Sequence, residues 1–96
     1  MSPELRKLSH LIKDIQGLEN ELHKYERQYR LRSEGFYRLA HHGKLEQSPD
    51  FLMWLGVCET LRARKREYRH LLKIEIAPIV TALNREAHNA QTIQVG

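Results

Sequence analysis

Residues 33–58, SEGFYRLAHHGKLEQSPDFLMWLGVC, decide how this chain is read. They hold both Phe residues, the only Trp, the only Cys, three of the five Gly and one of the three Pro. Ser33-Glu34 predicts a helix start: a short polar cap, then an acid where the first-turn N–H groups favour negative charge. Phe36, Tyr37, Leu39 and Ala40 give this short helix an apolar face, and Gly43 suits a left-handed C-terminal cap. Ser48-Pro49-Asp50 is a second start, with a capping hydroxyl, a proline at the first helical position and an acid in the first turn. Phe51, Trp54, Leu55, Cys58 and Leu61 follow at helical rather than strand spacing. The stretch therefore predicts a short helix, a turn and the apolar opening of a long helix. Phe36, Phe51, Trp54, Cys58 and Leu61 are its expected core.

On the N-terminal side, Ser2-Pro3-Glu4 repeats the cap, proline and acid pattern. Leu5, Leu8, Ile12, Ile15, Leu18, Leu22, Tyr25 and Tyr29 then recur every three or four residues, close to a coiled-coil seam. Gly17 interrupts it, either allowing close approach of another helix or simply tolerated. On the C-terminal side, Pro78 removes a backbone donor and predicts a stop or kink. The spacing predicts helices over 3–31, 33–42, 49–77 and 79–88, one domain over 1–88, and a flexible tail over 89–96. The two long helices are each about 28 residues, or about 42 Å. Equal lengths and a short connector predict an all-α antiparallel hairpin. Two helices make a thin core, and Leu52, Met53, Leu55 and Val57 lie off the Trp54–Cys58–Leu61 row. Such apolar surface predicts an interface, with a helical-bundle dimer or another protein as the occupant.

Composition narrows the function classes. The chain has 96 residues, 41% hydrophobic and 29% charged, which suits a folded helical protein rather than a disordered one. No apolar run approaches the roughly 20 residues of a membrane span, and the opening MSPELRKLSH lacks the apolar core of a signal peptide. One cysteine cannot form an intrachain disulfide, so a reducing, cytoplasmic setting is expected. A net charge of +4 permits an acidic or nucleic-acid partner.

Catalytic chemistry finds little support. His41 and His42 are adjacent and point apart on a helix, and no metal-ligand spacing is present, so no metal and no cofactor are expected. Cys58 sits on the apolar face, where a cysteine packs as a small inert hydrophobe. No nucleophile–base pair and no glycine-rich phosphate loop is visible, which reads as a non-enzymatic protein without a small-molecule substrate. The basic run Arg62, Arg64, Lys65, Arg66, Arg69 and Lys73 is opposed within its span only by Glu67. Spread at 100° per residue around most of the helix, it reads first as a solvated face. The alternatives are phosphate contacts in a nucleic-acid-binding dimer, or an acidic protein partner.

Tyr25-Glu26-Arg27, Ser33-Glu34-Gly35-Phe36-Tyr37, Gly43-Lys44-Leu45 and Asp50-Phe51-x-x-Trp54 together resemble a family of small helical proteins of cyanobacteria and archaea. That family carries a pattern like SEEFY…G-x-L…DF-x-E-W. The likeness spans the middle third of the chain and the basic helix after it. This chain departs from it at Gly35 and at Leu52-Met53, where acids are common. Some members resemble the antitoxin of a toxin–antitoxin pair. The resemblance implies a helical fold and a role in masking a toxin-like protein, with no catalytic residue to carry over.

Overall fold

A computed structural model describes the backbone of residues 2–95 and the side chains of residues 2–87. The described residues are helical apart from short connections, with no strand among them. In chain order they form α1 (Pro3–Tyr29), α2 (Ser33–His41), α3 (Pro49–Leu71), a π-helical turn (Leu72–Ile76) and α4 (Ala77–Val95).

The starts of α1 and α3 have local causes. The Ser2 hydroxyl accepts the Leu5 N–H at 3.2 Å, and the Ser48 hydroxyl accepts the Phe51 N–H at 3.1 Å. Both are followed by proline, which gives up a donor that would have had no helical partner. The start of α2 is built differently from the sequence expectation. Arg32 occupies the capping position with no side-chain bond, and Ser33 lies inside the helix. The Ser33 N–H is met instead by the Glu26 carboxylate of α1, at 2.8 Å. Glu26 also holds the end of α1, since its carbonyl accepts from the Arg30 and Leu31 N–H groups. Arg30 thereby sits at φ 53, a left-handed conformation that costs an L-residue roughly 1 kcal/mol. Gly43 takes the same region at φ 64 without that cost and closes α2.

Contacts between α1 and α3 fix their relative direction. Tyr29 meets Asp50, Tyr25 stacks on Trp54 at 5.6 Å between ring centroids, and Glu19 faces Lys65 at 4.0 Å. The numbers fall on one helix as they rise on the other, so the helices pass in opposite directions. Where they part, α2 closes the end. Phe36 is 1% exposed and stacks on Trp54 at 3.8 Å with an interplanar angle of 3°. The Trp54 indole N–H donates to the Ser33 hydroxyl at 2.9 Å, which satisfies the one polar group of a side chain with no exposed surface. Leu22, Phe36, Trp54, Cys58 and Leu61 form the buried cluster, with Phe51 half-buried against it. Leu11 and Ile76 are also buried, and neither stood among the residues expected inside.

The C-terminal half departs most from expectation. Pro78 does not end the long helix. α3 stops at Leu71, the backbone widens through the π turn, and α4 runs on to Val95. The cause lies in the proline ring, which would press on the carbonyl four residues back in a regular helix. The wider turn takes up that crowding: the Ala77 N–H reaches back five residues to the Leu72 carbonyl. Pro78 then falls in the first turn of α4, where a missing donor costs least. No proline or glycine follows before Gly96, so nothing breaks the helix near His88. Gly96 and the side chains of the expected flexible tail, 89–96, lie outside the described residues.

Residues Pro49–Val95 together make a rod of about 70 Å, against about 40 Å for α1. The principal extents of 67 × 24 × 22 Å follow from that difference. Among the described residues α4 meets only the π turn.

Candidate interaction surfaces

Seating Phe36 on Trp54 sets α2 beside the N-terminal half of α3. Residues on the outer edge of that contact then face each other across a groove of about 320 Å³. Its floor is Leu22, Ser33, Cys58 and Leu61; its walls are Glu34 and Tyr37 on one side and Arg62, Lys65, Arg66 and Arg69 on the other. The Arg62 guanidinium lies over the Tyr37 ring, 3.8 Å from its centroid. Such a cation–π contact favours keeping the arginine over the ring.

This corrects the reading of the basic run. Positions 62, 65, 66 and 69 follow the helical repeat of three and four, so these four cations share one face. Arg64 points to the other side of the helix, and Lys73, four residues past Arg69, continues the row into the π turn. Arg64 has its Nη1 2.9 Å from Glu67 and its Nε 3.9 Å from Asp14, and Lys73 is exposed in the π turn. Lys65 is loosely opposed by Glu19 at 4.0 Å. Past Tyr37 the groove continues into a depression lined by Arg38, His41 and His42. There His41 Nε2 lies 3.5 Å from Glu59, and the Tyr37 hydroxyl donates to the same carboxylate at 3.2 Å. Tyr37 and Glu34 had not been read as site residues. Their position one and two residues from the core aromatic Phe36 was the available signal.

Cys58 lies at the groove floor and is 5% exposed. Burial pushes its thiol up to about 11; Arg62 opposes that shift, and Glu59 and Glu26 add to it. It is therefore a neutral thiol near pH 7 and a poor nucleophile. At the opposite end of the core, the Tyr29 hydroxyl donates to the Asp50 carboxylate, which raises the phenol above its usual range. Among the described residues, no group of three or more His, Cys, Asp or Glu is placed to hold a metal ion. No described helix is long and apolar enough to cross a membrane.

The four-residue apolar patch expected on α3 divides. Leu52 and Met53 are 55% and 63% exposed, whereas Leu55 and Val57 pack against the core cluster. A second apolar surface lies beyond the start of α1. Val80 and Leu83 are each more than half exposed. At about 100° per residue, Ile76, Ile79, Val80 and Leu83 fall within about 100° of one another. Ile76 is buried at the π turn, where α1 is in contact; the seam it begins runs on along α4 through half-buried Ile79 to exposed Val80 and Leu83.

Compared with protein-family models, with curated proteins and with solved structures, the chain matches none.

Proposed function

We propose that this chain is a non-enzymatic protein-interaction module of the reducing cytoplasm, a helical hairpin that pairs through α4 with a second copy to make a helical bundle. The uncovered seam of α4 carries this reading. Most helical stability in proteins comes from packing an apolar face, and α4, 19 residues long, has little packed against it. α4 holds only two charged side chains, Arg85 and Glu86, and presents Val80 and Leu83, beside half-buried Ile79, in register with the buried Ile76. Those are the properties of a face that another helix covers. A toxin-like partner would use the same seam and Leu52-Met53, the role that the antitoxin-like sequence pattern implies.

Light scattering behind size exclusion tests the pairing. Wild-type protein should elute with twice the chain mass at micromolar concentration. Val80→Asp with Leu83→Asp should elute at the chain mass and keep the near-ultraviolet signal of the Trp54 core. A wild-type chain that stays monomeric, or a double variant that still pairs, would remove the support from α4. Co-expression with the product of an adjacent toxin-like gene tests the masking role, with rescue of growth as the readout.

A further inference from the structure

We infer that the groove between α2 and α3 binds the phosphodiester backbone of a nucleic acid, with Arg62, Lys65, Arg66 and Arg69 as the phosphate contacts. This is separate from pairing through α4, and either can stand without the other. Three observations support it. Arg62, Arg66 and Arg69 form no ion pair with a carboxylate among the described residues, while Arg64 of the same helix does. Of the residues lining the groove, Glu34 is the only carboxylate, against four cations. The four cations span about 10 Å along one face of α3, a ladder of donors rather than a single point charge.

The details favour nucleic acid over an acidic protein. Protein interfaces draw their affinity from desolvated apolar anchors at the centre of the patch. Here the apolar floor residues Leu22, Cys58 and Leu61 are already buried, and the large exposed hydrophobics lie outside the groove. Guanidinium forks match phosphate oxygens in a bidentate way. Arg62 also lies over the Tyr37 ring at 3.8 Å, and guanidinium and aromatic groups are surfaces on which unpaired bases stack. The neutral Cys58 thiol adds no negative charge beneath the phosphates.

The test is fluorescence anisotropy with a labelled single-stranded RNA and a labelled DNA duplex of mixed sequence. Four phosphate contacts should make affinity fall about 50-fold for the single strand and about 150-fold for the duplex between about 50 and about 200 mM salt. Whichever of the two binds tighter identifies the preferred form of the backbone. In Arg66→Ala with Arg69→Ala, two contacts remain, and the same salt step should cost only about 7-fold and about 12-fold. Both arginines are exposed and unpaired, so this variant should keep the wild-type circular dichroism. Arg64→Ala with Lys24→Ala removes as much charge away from the groove and should leave the salt dependence near that of wild type. The inference is overturned if affinity ignores salt, if the second variant loses as much as the first, or if polyglutamate displaces both nucleic acids at equal charge.

Discussion

The pair Trp54–Ser33 is the most informative place to perturb the fold. Trp54 has no exposed surface, stacks on Phe36 at 3.8 Å, and lies parallel to Tyr25 and Tyr29 at 5.6 and 5.7 Å. Burying an indole of about 200 Å² at about 25 cal/mol per Å² gives about 5 kcal/mol as an upper figure. Trp54→Ala should therefore cost about 3–5 kcal/mol, enough to unfold a chain with so thin a core. The milder substitutions separate the terms. Trp54→Phe keeps a ring against Phe36 but strands the Ser33 hydroxyl, and Ser33→Ala strands the indole N–H. Each leaves one buried polar group without a partner and should cost about 1–3 kcal/mol. In the double variant neither group is present. Its cost should then fall short of the sum of the singles by about 1 kcal/mol. Urea unfolding followed by circular dichroism at fixed protein concentration measures all four corners of the cycle. A Ser33→Ala variant as stable as wild type, with additive effects, would refute the claim that this hydrogen bond seats α2 on α3.

Two further predictions concern glycine and cysteine. A Cβ at Gly17 would meet nothing within 4 Å, so the glycine is tolerated rather than required, and Gly17→Ala should stabilise by about 1 kcal/mol, read as a higher urea midpoint. A thiol at about 11 should react with Ellman's reagent at about pH 8 more than about 100-fold slower than a free cysteine, and match it only after unfolding. The same shift sets a pH dependence. The folded thiol holds its proton above the ordinary 9.0, so its contribution to stability is complete below about pH 9 and is lost as pH rises through about 11. Cys58→Ala should flatten the alkaline limb of the urea midpoint against pH.

The helical fold was legible because its signals are local. Ser2-Pro3-Glu4 and Ser48-Pro49-Asp50 are caps that act within one turn, and their hydroxyls make the bonds that the pattern implies. Phe36, Trp54, Cys58 and Leu61 were recognisable as buried because apolar bulk recurs at helical spacing around them. What depended on tertiary partners was not legible. Ser33 looked like a cap, yet its hydroxyl serves Trp54, twenty-one residues away, and Glu26 takes over the capping. Pro78 predicted a stop or kink because a proline's local cost is visible in sequence, while the π turn that absorbs it is not. The shared face of Arg62, Lys65, Arg66 and Arg69 was legible in their spacing and was missed; that Asp14 and Glu67 pair with Arg64, and that Tyr37 lies under Arg62, was not legible.

The central claim is that α4 is a helix because something covers it. Hydrogen exchange of the amides of residues 77–87, measured over a range of protein concentrations, tests that most directly. Amides of α1 and α3 should stay protected by the Trp54 core at every concentration. Those of 77–87 should be protected at high concentration and exchange quickly on dilution, and should exchange quickly at all concentrations in Val80→Asp with Leu83→Asp. Protection of 77–87 that is independent of concentration and unchanged in that variant would contradict the account, as would rapid exchange of 77–87 at the highest concentration reached.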